Sequence, residues 1–289
     1  MSVKKSIFGS RSEERGFRSI EHTWGEKYRI IPQFPWSAIF TPDPRWRDTS
    51  NLFFKTSVDY LLSTDEGQPL LAIDFDGMGR GYDRNGEYVQ VQPTEDPYRK
   101  AKFDFKLQYA RSNEFPYHIV ASEEFNKLGN GIELTVVDSI IGSIIARQRF
   151  LEEVQSRTFA DVNEAMDLEI ALEIEHSPII QKTFEVMNQI SAITGDDSAF
   201  YRKTKRPFSE PDLPDFELPP WSNLEAFKHR LEAMEKSEER GCVVTLSETP
   251  VGEVSDVATV RNTGACVDVG EIAELLVYSK LLRLLKRKA

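Results

Sequence analysis

Two short apolar runs in this chain carry aspartates where a buried strand ordinarily has none. Residues 52–62 are aromatic and β-branched and contain Asp59; residues 69–76 are apolar up to Asp74 and Asp76; the intervening residues 63–68 have a turn-forming composition. The pattern predicts a β-hairpin. Residues two apart on a strand share a face, so Asp74 and Asp76 project from one side while Ile73 and Phe75 project from the other. Asp59, on the neighbouring strand, is placed to reach the same point. Carboxylates gathered beside a core raise one another's pKa and resist burial unless a cation compensates them. A hard divalent ion such as Mg²⁺ suits that pattern, since it takes one or two protein carboxylates and keeps positions for water and phosphate. The plainer reading is also open: Asp76 and Gly77 form a common turn dipeptide, and the two acids then merely end a strand.

Around the hairpin, alternating elements predict an α/β fold. A short Arg- and Glu-rich helix over 10–23 precedes an extended segment at 28–36, which its prolines bar from helix. After the hairpin comes a loop over 77–86. A helix over 98–113 follows, with Phe103, Leu107 and Ala110 on one face, and then a strand over 115–120. A long helix over 134–156 carries Val136, Val137, Ile140, Ile141, Ile144 and Ile145, and is expected to pack on the sheet; Gly142 and Ser143 leave room for a close neighbour. The helix over 161–175 is acidic, with Met166, Ile170 and Ile174 at helical spacing, and 186–193 extends the helical region. Five prolines between 207 and 220, among Ser, Asp and Glu, read as a linker or wrapped arm. Beyond it are a charged helix over 223–240, strands at 242–246 and 257–260, and a final helix over 269–288. The expected organisation is one α/β domain over 1–160, a helical extension over 161–201, a linker over 202–221 and a small α+β region over 222–289.

At 289 residues and 40% hydrophobic, the chain can bury a substantial core. Charged and polar residues interrupt its most apolar stretch, near 132–145, well short of the roughly 20 residues a membrane span needs. The N-terminus has no apolar signal region, so the expectation is a cytoplasmic protein without a membrane partner. A net charge of −11 argues against coating by nucleic acid, so any polyanion must be met locally. Basic residues gather between Arg80 and Arg111 and again at 280–288; the latter group reads as a helix end complementing its dipole, or as an anionic-surface contact. Cys242 and Cys266 match no zinc spacing; two buried thiols and a disulfide are both open. The glycines at 77, 79 and 81 lack the Lys and Ser/Thr of a phosphate-cradling loop, and no G-x-S-x-G elbow is present.

The run 72–77, Ala-Ile-Asp-Phe-Asp-Gly, resembles the hydrophobic-E-x-D-G signature of very-short-patch-repair-like endonucleases and of a related uncharacterised-domain family, both in the PD-(D/E)XK nuclease superfamily. Residues 28–35 look like the extended segment before that core, and 57–61 like its Val-Asp-Phe strand. Lys106 followed by the 115–119 segment matches the family's basic residue and closing strand. The resemblance covers 24–120 and implies a restriction-endonuclease-like mixed central sheet flanked by helices, with a mostly helical C-terminal extension. It implies that Asp59 and Asp74 are metal ligands for Mg²⁺ or Mn²⁺, with Asp76 as a further acid. Lys106 takes the catalytic-lysine role, with Lys102 one helical turn earlier as its substitute. Arg80 stands where relatives carry a histidine, and His118 where an arginine is frequent; with Lys102 they are expected to bind phosphate. The implied activity is metal-dependent hydrolysis of phosphodiesters in DNA. The alternative is an inactive nuclease-derived module binding DNA, or binding protein through the acidic C-terminal half.

Overall fold

Ser10 opens the first helix by accepting a hydrogen bond from Glu13 N–H at 3.1 Å, which caps α1 (Arg11–Trp24). In the computed structural model, which describes residues 6–45, 50–77, 79–82, 88–90, 97–129, 131–159, 162–195, 204–205, 239–246, 249–252, 254–261 and 270–288, the chain forms two compact units. The first comprises Met1–Gly81 and Tyr88–Asn126, the second Tyr82–Glu87 and Lys127–Ala289.

In the first unit, α1 is followed by β1 (Arg29–Pro35), α2 (Trp36–Ile39), α3 (Ser50–Lys55), β2 (Ser57–Ser63), β3 (Pro69–Asp76), β4 (Gly79–Tyr82), β5 (Tyr88–Gln90), α4 (Pro97–Ser112) and β6 (Tyr117–Ala121). β2 and β3 form the expected hairpin, and the sheet runs in the order β1-β2-β3-β6, antiparallel except for the parallel β3–β6 pair. Two expectations fail locally. Residues 52–55 are helical rather than extended, because β-branched side chains begin only at Thr56; α3 turns Phe53 into the core and leaves Phe54 exposed. The predicted loop over 77–86 instead contains β4, which pairs with β5 beyond it in a two-stranded sheet.

Alternation and register sort the central side chains. Tyr60 is opposite Ile73, and Ile73 is beside His118, so these three share a face with Phe75; Asp59, Asp74 and Tyr117 share the other. α1 covers the first face. A Cβ on Gly16 would lie 2.7 Å from the Tyr60 hydroxyl, so glycine is what lets Tyr60 donate to the Glu13 carbonyl at 2.7 Å. Phe125, in a 3-10 turn at Ser122–Phe125, packs on Tyr60 and Phe75. On the second face, Trp36 of α2 packs against Phe105 and Tyr109 of α4 and against Tyr117 of β6. Leu61, Leu62, Leu71, Ile73 and Ile119 are fully buried, each worth roughly 1.5–3 kcal/mol of apolar transfer.

The second unit begins with β7 (Lys127–Gly129) and β8 (Ile132–Thr135), then α5 (Val136–Ser156), α6 (Val162–His176), α7 (Pro178–Thr194), β9 (Thr204–Lys205), β10 (Glu239–Leu246), β11 (Val254–Arg261) and α8 (Gly270–Lys288). Thr135 and Asp138 form a reciprocal capping box at the start of α5. The expected close neighbour at Gly142 is the backbone of His176 and Ser177, 2.7 Å from where a Cβ would stand. Within the second unit α5 packs against α6 and α7. On α6, Met166, Ile170 and Ile174 are exposed, while Ala165 is buried. β10 and β11 form a hairpin covered by α8, whose Ile272, Leu275, Tyr278, Leu281 and Leu285 are buried. Thr204 and Lys205, within the expected linker, pair with β10, and Glu239 and Arg240 begin β10 instead of ending a helix. The five linker prolines, residues 223–238 and Cys266 lie outside the described residues, and with Cys266 the question of a disulfide. No described helix is long and apolar enough to cross a membrane.

Candidate functional site

The paired backbone of β2 and β3 stops at Tyr60 and Ile73, one residue before two carboxylates that would face each other. Beyond that point the side chains replace the ladder. The Asp59 N–H donates to Asp74 Oδ1 at 3.1 Å, and the Phe75 N–H donates to Asp59 Oδ2 at 2.8 Å. Buried N–H groups require acceptors, and here the acids supply them where the strands part. Gln33 of β1 donates through Nε2 to Asp59 Oδ1 at 2.9 Å.

α4 closes the cluster. Lys106 is fully buried, and its Nζ donates to Asp74 Oδ2 and, at 2.9 Å, to the Ser57 carbonyl. The Tyr117 hydroxyl donates to the same Asp74 oxygen. Burial pulls the Lys106 pKa below its ordinary value; the neighbouring carboxylate of Asp74 opposes that pull, and the charge of Lys102 adds to it. Burial, and then the charge of Asp74, push Asp59 up to about 7. Two carboxylates therefore share one ammonium, and Asp59 carries the imbalance.

Asp76 faces α4 as well, but it pairs with Arg99 rather than joining Asp59 and Asp74. Arg99 and Lys106 are seven residues apart, about 10 Å along a helix, whereas Asp74 and Asp76 are about 7 Å apart along a strand. The long guanidinium side chain spans the mismatch. Lys102 is half-buried on the same helix. Arg80 lies in β4, and its side chain is outside the described residues. His118, expected to bind phosphate beside the acids, is on the opposite face, next to Ile73, and burial holds its pKa down to about 4. The sheet's alternation leaves it unable to join the cluster. Tyr117, one residue earlier, takes the place on the acidic face; only the parallel register reveals this.

The donor set fits one small divalent cation. A carboxylate offers about four lone-pair sites; Asp59 accepts two hydrogen bonds and Asp74 three, so both retain capacity. A cation would also relieve the unbalanced negative charge. Among the described residues no group of three or more His, Cys, Asp or Glu is placed to hold a metal, so a cation here would have Asp59 and Asp74 as its only carboxylate ligands and would need water to complete its shell. No family model matches this chain, and neither a curated protein nor a solved structure matches it.

Proposed function

We propose that the first unit is a restriction-endonuclease-like core that hydrolyses phosphodiesters in DNA with Mg²⁺ or Mn²⁺ held by Asp59 and Asp74. The observation that carries this reading is the convergence of Asp59, Asp74 and Lys106 where β2 and β3 part. A divalent ion, when bound, supplies Lewis-acid polarisation of the phosphate and eases deprotonation of a water. Lys106 fixes Asp74 and places a positive charge beside the position where phosphate charge develops. Arg99 and Lys102, on the same helix, add positive charge along the acidic row, which offsets locally the net charge of −11.

A second reading has its own observation. Asp74 and Lys106 are 2% and 0% exposed, and all four oxygens of Asp59 and Asp74 already accept hydrogen bonds from the protein. Such a network also suits a core retained as scaffold for binding DNA, or for binding protein through the acidic C-terminal half. Nicking of supercoiled plasmid in Mg²⁺ or Mn²⁺ separates the two. The enzyme reading expects nicking by the wild type and at least a hundredfold loss, the order expected for removing a metal ligand or a fixed cation, in Asp74→Asn and Lys106→Met. A gel shift with no nicking by the wild type supports the scaffold.

A further inference from the structure

Gln33 adopts a φ of 53° in the middle of β1, a left-handed conformation that side chains other than glycine, asparagine and aspartate rarely enter. The only other non-glycine residue in that region among those described, Glu114, ends α4 in a turn, where left-handed backbone is ordinary. Gln33 closes no turn. The ladder between β1 and β2 passes from Pro32 opposite Tyr60 to Phe34 opposite Val58, and Gln33 contributes no pair between them. Its side chain makes the contact instead. Nε2 donates to Asp59 Oδ1 at 2.9 Å, and Oε1 accepts from the Ser57 hydroxyl at 3.5 Å. Strain of this kind persists only where surrounding structure imposes it, and it gathers at sites with a task.

We propose that Gln33 is a positioning residue for the cation site, holding Asp59 by one oxygen while the Phe75 N–H holds the other; the inference rests on the reading of Asp59 and Asp74 as cation ligands. Gripped at both oxygens, the carboxylate is fixed in rotation and each oxygen keeps a lone pair. Ser57 orients the amide so that its N–H₂ end faces Asp59, and the Ser57 carbonyl accepts from Lys106. One strand residue therefore ties Gln33 to the lysine across the site. The amide is a neutral donor, so it orients Asp59 without competing for a cation as a second ammonium would.

The test uses Mn²⁺ alone, with free ion read by electron paramagnetic resonance, on the full chain and on Gln33→Met and Gln33→Gly, alongside thermal midpoints. Outer partners of metal ligands are worth about 10- to 100-fold in affinity. Both variants should bind Mn²⁺ at least about tenfold more weakly. Gln33→Gly should do so without a lower midpoint, because glycine removes the left-handed strain. Wild-type affinity in both variants overturns the inference while leaving the site reading intact, as does a loss of affinity that only tracks a fall in midpoint. A wild type that takes up no Mn²⁺ overturns the site reading, and this inference with it.

Discussion

On one face of the four-stranded sheet, Tyr60 and Phe75 pack against α1 and Phe125, and His118 lies in the same layer; on the other, Asp59, Asp74 and Tyr117 gather around Lys106. Both faces are buried, and neighbouring residues of the same strands supply them. They differ in how polar groups are reconciled with burial. On the first face a histidine is held neutral and a tyrosine hydroxyl is given a backbone carbonyl. On the second, charge is kept and answered by charge. A core governed only by stability would favour the first solution, since a buried ion pair is often no better than apolar packing. Charge is retained on one face alone, and the proposed cation site rests on that contrast.

The largest break in this contrast should come from Lys106→Met, which strands two carboxylates in the interior. A loss of about 3–5 kcal/mol is expected in urea denaturation, and adding Asp74→Asn should recover much of it; a loss no larger than that of an exposed lysine would erase the distinction between the faces. Tyr117→Phe removes one hydroxyl from a charged acceptor and should cost about 1.5–3 kcal/mol. The apolar face is probed by Gly16→Ala. Its new methyl must displace the Tyr60 hydroxyl, at a cost of about 1–3 kcal/mol, partly offset by up to roughly 1 kcal/mol of helix propensity.

The pH dependences of the two faces are opposed in sign. Asp59 rises from 3.8 to about 7 on folding, so its contribution to stability is complete below pH 3.8 and is lost as pH rises to about 7. His118 falls from 6.5 to about 4, so its contribution is complete above 6.5 and is lost as pH falls to about 4. The acidic face favours low pH and the apolar face high pH. Asp59→Asn should leave a urea midpoint that increases with pH between about 4 and 6.5, and His118→Leu should leave one that decreases; unchanged profiles would show that neither face titrates on folding.

The hairpin, α4 and the acids on one strand face were legible from period-two and helical spacing, because apolar runs bounded by turn residues determine those elements locally. The convergence of Asp59 on Asp74 was legible from the hairpin pattern, whereas Lys106 entered only through the resemblance. What stayed hidden depends on register and backbone. The parallel match of Ile73 with His118 decides that Tyr117, not His118, meets Asp74, and no residue in either strand announces that match. A lysine within the buried side of α4 disguises that side as surface, and Asp76 was grouped with Asp74 because the reach of Arg99 from α4 was not visible. Gln33 carried no signal at all; the role proposed for it rests on a backbone angle and on side-chain contacts that only the folded chain shows.

The most direct test is calorimetric titration of Mn²⁺ into the wild type and into Asp59→Asn. The expected result is one saturable site in the wild type, absent from Asp59→Asn although that variant keeps its circular dichroism. The same binding curve in both proteins, or none in the wild type, would contradict the assignment of Asp59 and Asp74 to a cation.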